Sequence, residues 1–120
     1  MNSPLKTVVA ILTLTASNQL AAMQINDPHS AAVFIQKQRP AVEACLQVAQ
    51  RNRSLTNIWS SAPCEKLLTQ DKQLKKAWAL LLPDGSVAGL SELPYELRKL
   101  TIDAYSDYKA FAERIAQLSS

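Results

Sequence analysis

The chain has 120 residues, the length of a single domain, and its 48% of hydrophobic residues exclude an intrinsically disordered protein. Its formal net charge of +3 is too small to predict the dense basic face of a nucleic-acid-binding protein. Only two glycines are present, which favours helices with short connections over a many-stranded β-sandwich, because such a sandwich needs frequent turns.

The N-terminal segment has the pattern of a secretory signal peptide. Lys6 precedes a short apolar stretch, and Ala22 ends a cleavage site of small residues. An apolar stretch of about ten residues is too short to span a bilayer, which needs about twenty. We therefore expect residues 1–22 to be removed on export, and residues 23–120 to form one helical domain that is periplasmic or secreted. The alternative is a buried N-terminal helix of a cytosolic domain.

Two helices are predicted in the first half of the mature chain. Asp27 is a candidate N-cap, and Pro28 fits the first turn of a helix. Pro40 is predicted to kink this helix or to begin a second one, because a proline inside a helix removes a hydrogen bond and clashes with the preceding turn. A connection follows over residues 55–62, in which Trp59 is expected to fold back over the core.

A third helix is predicted to begin at Pro63 and to stop at the turn signal of residues 83–86. The alternative is a short β-hairpin around that turn, within residues 77–90. We prefer the helix because the leucines before the turn do not alternate with polar residues. The apolar residues of this helix share one face: Cys64, Leu67, Leu68, Leu74, Trp78, Leu81 and Leu82.

The C-terminal segment, residues 91–120, has the longest unbroken helical period in the chain. Ser91 is its predicted N-cap, and Pro94 lies in the predicted first turn. We expect a long amphipathic helix that closes an all-α bundle of three to four helices. Its buried stripe is predicted to comprise Leu93, Leu97, Leu100, Ala104, Tyr108, Phe111, Ile115 and Leu118.

A second, outward-facing stripe on the same helix predicts a partner-binding surface. On an ideal helical wheel Ile102 lies nearly opposite the buried stripe, Tyr95 lies beside Ile102 two turns earlier, and Tyr105 lies toward one flank. Exposed apolar residues at this spacing indicate a helix-mediated contact with another protein or with a second copy of the chain. The alternative is that a neighbouring element of the same chain covers these residues.

Cys45 and Cys64 are the only cysteines, and an even number in an exported chain predicts a disulfide. The bridge would clip the second helix to the start of the third and, for a loop of about 20 residues, would stabilise the fold by about 3 kcal/mol. The alternative is two buried free thiols. The cysteines lack the Cys-x-x-Cys spacing of redox proteins, and no zinc-ligand spacing is present, so we expect no cofactor.

No catalytic constellation is recognisable in the sequence. His29 is the only histidine and lies at a predicted helix start without a group to orient it as a base. Asp103 and Asp107 lie one turn apart but on a charged face near Lys99, where solvated ion pairing is the simpler interpretation. The basic residues in the middle of the chain predict a solvated face and leave a contact with lipid open. We therefore expect a protein that is not an enzyme.

Together these features predict an exported helical protein that acts by protein–protein binding. It would serve as an accessory component of an envelope or secretion machine, or as an inhibitor or immunity factor. A second hypothesis is a periplasmic stress chaperone that exposes apolar surface on acidification, and a third is a small hydrolase. We expect no nucleic-acid partner and no stable membrane insertion after signal cleavage.

Overall fold

The computed structural model describes residues 24–120, so the predicted signal peptide lies outside the described residues. The α-helices in this range are α1 (Pro28–Arg51), α2 (Leu55–Ser60), α3 (Ala62–Thr69), α4 (Asp71–Leu81), α5 (Ala88–Ser91) and α6 (Tyr95–Ser119), with a short 3-10 helix (Pro83–Gly85) between α4 and α5. The all-α class is confirmed. The hairpin considered for residues 77–90 is wrong, because no strand occurs in the described range and residues 77–81 complete α4 with Ala77 and Leu81 buried on one helical face.

Helix α1 is the central element, since α3, α4 and α6 all pack against it. A capping box fixes its start: the backbone amide of Ser30 donates to the Asp27 carboxylate at 2.7 Å, and the Ser30 hydroxyl accepts from the Asp27 amide at 3.1 Å. Hydrogen bonds from Ser30 to the Asp27 carboxyl, above all the one from the Ser30 backbone amide, hold the pKa of that carboxyl below its ordinary value. The predicted cap at Asp27 and the start at Pro28 are therefore confirmed.

Helix α1 continues through Pro40, so of the two outcomes predicted there, a kink or the start of a second helix, the second helix is wrong. A proline at this position removes one backbone hydrogen bond. Ile35 before it and Val42 after it are both buried in the same core, and this shared packing holds the two halves in one helix. The result is a single helix of 24 residues.

The segment predicted as a connection after α1 contains the short helix α2. Its N-cap is Ser54, whose hydroxyl accepts a hydrogen bond from the Asn57 amide at 3.3 Å, and its Ile58 is fully buried. The expectation that Trp59 folds back over the core is confirmed, because its ring meets Phe111 edge-on with ring centroids 5.8 Å apart. Helix α2 thus brings two large apolar side chains onto the core.

The predicted third helix is divided at Gln70, which leaves the helical conformation and separates α3 from α4. An unbroken helical period therefore does not extend across this segment. Leu68, which the sequence assigned to the buried face, is 56% exposed, because the buried face of the short α3 is centred on Cys64 and Leu67; Leu74 and Leu81 on α4 are buried as predicted.

The C-terminal helix begins at Tyr95, four residues later than its predicted N-cap. Ser91 instead ends α5, and Pro94 is the N-cap, with φ −57° and ψ 151° in extended backbone. Most of the predicted stripe faces the core. Leu100, however, is 44% exposed because it lies at the edge of a buried face centred on Ala104 and Phe111.

A disulfide joins Cys45 of α1 to Cys64 of α3, as predicted, and both residues are fully buried. Helix α6 is tied to α1 by polar contacts as well as by packing. Nε and Nη2 of Arg114 donate to the carbonyl oxygens of Ala49 and Asn52 at 2.9 and 3.0 Å, which satisfies acceptors at the C-terminal end of α1. The disulfide thus fixes α3 to α1, and the Arg114 hydrogen bonds fix α6 to the end of α1.

Candidate functional site

The start of α6 carries the most exposed aromatic residue of the described chain. Tyr95 is 70% exposed and Ile102, two turns further along the same face, is 48% exposed. Together with Arg98, Lys99 and Asp103 they line a shallow depression of about 250 Å³. We call these five residues the Tyr95–Ile102 surface.

The charged side chains of this surface differ in whether they have hydrogen-bond or ion-pair partners in the protein. The Arg98 guanidinium donates to the carbonyl oxygens of Leu93 and Ser91 at 2.9 and 3.5 Å, so it ties the α5–α6 connection to α6. Lys99 and Asp103 are exposed and have no ion-pair partner within the described residues. The surface is therefore an apolar pair on a rigid helix with one positive and one negative charge free at its edge.

Tyr105, the third residue assigned to the outward stripe, lies in a different setting. It is half-buried, and its ring meets Trp78 of α4 edge-on with ring centroids 5.3 Å apart. Trp78 also contacts Tyr108, at 5.8 Å between centroids. These three aromatic side chains bridge α4 and α6 across the surface of α1.

Above the three rings lies an open groove of about 490 Å³, which we call the α4–α6 groove. Most of its lining is apolar. Among the lining residues are Lys75, Trp78 and Leu82 on the α4 side and Tyr105, Tyr108 and Lys109 on the α6 side. The sequence did not predict this groove. The helical period of each helix assigns Trp78 and Tyr108 to a buried face, but it does not show how wide a gap remains between α4 and α6 when both pack on α1.

One ion pair lies beside the groove. Nζ of Lys75 is 2.9 Å from Oδ2 of Asp71, and this hydrogen bond raises the pKa of Lys75. Burial raises the pKa of the Tyr108 hydroxyl, and the nearby Asp71 charge adds to that effect while Lys75 opposes it. The Tyr108 hydroxyl is therefore neutral near pH 7 and can act as a hydrogen-bond donor.

The residues weighed for chemistry in the sequence do not come together. His29 is exposed in the first turn of α1, and Asp107 lies 3.5 Å from Nε of Arg39 in an ion pair between α6 and α1. Within residues 24–120, no cluster of three or more His, Cys, Asp or Glu residues is arranged to hold a metal ion. In the same range, no helix combines the length and the apolar character needed to cross a membrane.

Comparison of the chain with protein-family models, with curated proteins and with solved structures found no match. Function is therefore inferred from the chemistry of the two surface features, the Tyr95–Ile102 surface and the α4–α6 groove.

Proposed function

We propose that this protein is exported and acts by binding another protein through the Tyr95–Ile102 surface. The observation that carries the proposal is the exposure of Tyr95 and Ile102 two turns apart on one face of a 25-residue helix. Single exposed apolar residues are common on protein surfaces, but here an aromatic and a β-branched residue line the same depression and would offer a partner two apolar contacts. Through this contact the protein would serve as an accessory component of an envelope or secretion machine, or as an inhibitor or immunity factor.

The surface suits a helix-mediated contact in which Tyr95 is the anchor. An aromatic ring contributes a large contact area at a small cost in side-chain entropy, and Ile102, two turns further along the helix, would extend the dry centre of the interface. Lys99 and Asp103 would lie at the polar rim, where charges select and orient the partner. Because the backbone belongs to a regular helix, the side chains are presented in a fixed arrangement before the partner arrives.

The proposal of export is supported by the disulfide between Cys45 and Cys64, since stable disulfides form in oxidising compartments. It is also supported by the sequence pattern of residues 1–22. In this setting a partner would be a protein of the cell envelope or of the surroundings.

Substitution of Ile102 by Glu tests the contact, and Leu68→Glu is the matched control. Leu68 is 56% exposed on α3 and lies outside the Tyr95–Ile102 surface, so both variants place the same charge at an exposed apolar position. We expect both variants to keep the melting temperature of the wild type within a few degrees. Only Ile102→Glu should lose partner binding, because a buried unpaired carboxylate at an interface is strongly unfavourable.

The partner can be identified by placing a photo-crosslinking amino acid at position 95 and, in a control strain, at position 68. We expect a cross-linked product at position 95 that is absent at position 68 and is lost when Ile102→Glu is added. A second copy of the chain as the cross-linked product would identify self-association. Unfolding of Ile102→Glu, or equal cross-linking at both positions, would refute the contact surface.

A further inference from the structure

The α4–α6 groove has the size and lining of a small-molecule site. Its volume of about 490 Å³ lies within the range of about 300 to 1,000 Å³ that is usual for such sites. Trp78 of α4 and Leu82, its C-cap, line one side, and Tyr105 and Ala112 of α6 line the other, so the walls are mainly aromatic and aliphatic. A ligand that removes these side chains from water would be bound by the hydrophobic effect.

The charged residues that line the groove are both positive. Its lining includes Lys75 and Lys109, one on each wall, and no aspartate or glutamate. Lys75 forms an ion pair with Asp71, which lies outside the lining. Lys109 has no carboxylate within ion-pair distance among residues 24–120. The groove therefore attracts a ligand with a negative group and an apolar body.

The apolar walls are short. They extend from Lys75 to Leu82 on one side and from Tyr105 to Ala112 on the other, which is about 10 Å along each helix axis. Two helical turns suit a single short apolar chain better than a partner helix, since helices in proteins are on average about three turns long. The Tyr95–Ile102 surface, where we place a protein partner, is lined by other residues.

We propose that the α4–α6 groove binds a free fatty carboxylate of medium chain length. The acyl chain lies along Trp78 and Leu82, and the carboxylate lies at the rim next to Lys109, with Lys75 as the second cation. This site does not depend on the protein contact proposed above, and either can hold without the other.

Calorimetric titration of the purified protein with hexanoate, octanoate and decanoate tests the apolar part of the site. We expect the affinity to rise about fourfold for each added methylene that the groove buries. 1-Decanol has the same chain without the charge, and we expect it to bind several-fold more weakly than decanoate. Equal affinity for decanoate and 1-decanol, or no rise with chain length, would overturn the proposal.

Three charge variants test the position of the carboxylate. Lys109→Glu should weaken decanoate binding about fivefold, the upper end for one exposed ion pair, and the new carboxylate adds repulsion to that loss. Lys76→Glu is the matched control, because Lys76 is exposed on α4 and lies outside the groove lining. Asp71→Asn should tighten binding, since it releases Lys75 from its ion pair at 2.9 Å.

A bromine atom at the end of the acyl chain locates the chain, because a heavy atom quenches the fluorescence of an indole that it touches. We expect quenching in the single-tryptophan variant Trp59→Phe, which retains Trp78 in the groove. We expect none in Trp78→Phe, in which Trp59 remains packed on Phe111. Quenching of Trp59 alone, or equal weakening by Lys109→Glu and Lys76→Glu, would show that the acyl chain binds elsewhere and would overturn the proposal.

Discussion

At the scale of single residues, Gly89 shows how closely the backbone of α5 approaches the end of α4. A Cβ atom at this position would meet the carbonyl oxygen of Leu80 and would lie 2.6 Å from the Cα of Leu81. Backbone atoms cannot move aside as a flexible side chain can. Glycine is therefore required here by contact rather than by backbone conformation, since only Gly85, of the two glycines, has a positive φ of 80°.

We predict that Gly89→Ala lowers the free energy of unfolding by about 1 to 3 kcal/mol, the usual cost of overpacking. The comparison variant is Gly85→Ala, where a Cβ would meet nothing within 4 Å and only the left-handed backbone is strained. That strain costs about 1 to 2 kcal/mol. Urea unfolding measures both, and a Gly89→Ala variant as stable as the wild type would show that α5 can shift away from α4.

Tyr108 gives a prediction for pH. Burial, followed by the Asp71 charge, raises the pKa of its hydroxyl in the folded protein above the value of 10.0 expected in the unfolded chain. A group with a raised pKa in the folded state contributes stability below its unfolded pKa and loses that contribution as pH rises through the folded pKa. Urea unfolding between pH 9 and pH 12 should therefore show a fall in stability that is smaller in Tyr108→Phe. An equal fall in both proteins would contradict this account.

At the scale of secondary-structure elements, the sequence predicts some helix ends correctly and others wrongly. Asp27 and Pro28 mark a helix start by local chemistry, and the structure confirms it. Pro40 and Ser91 were misleading. Packing on both sides keeps α1 continuous through Pro40, and Ser91 ends a short helix instead of beginning the long one. Local signals predict where a helix can start, whereas tertiary contacts decide where it continues.

The disulfide links two secondary-structure elements, α1 and α3, and closes a loop that contains the whole of α2. We predict that the double variant Cys45→Ser, Cys64→Ser loses about 2 to 4 kcal/mol of unfolding free energy. Both residues are fully buried, so the variant also places two hydroxyl groups in the core, and their desolvation adds to the loss. Wild-type protein unfolded in the presence of a strong reductant should lose most of the same stability, because reduction removes the bridge but leaves thiols and not hydroxyl groups in the core. A wild type that reductant does not destabilise would contradict the prediction.

At the scale of the whole molecule, the candidate sites follow from the central position of α1. Helices α4 and α6 both pack against it, and Trp78, Tyr105 and Tyr108 close the space between them only in part, which leaves the groove. The outward face of α6 carries Tyr95 and Ile102, which remain exposed. The sequence predicted that exposure from the period of one helix. It could not predict the groove, which depends on how far apart two helices lie on a third.

We predict that the protein is exported and cleaved after Ala22. Residues 1–22 have the charge, the short apolar stretch and the small residue Ala22 of a cleavable signal, and the disulfide is of the kind that forms outside the cytosol. In a secreting bacterium, intact-mass measurement should show loss of the first 22 residues and no alkylatable thiol. A chain expressed from residue 23 should remain in the cytosol and carry two reactive thiols after unfolding.

Ala22→Arg should block cleavage and serves as the control for the site. Full-length protein recovered from the cytosol would refute export, and an uncleaved N-terminus in the periplasm would refute the cleavage site alone.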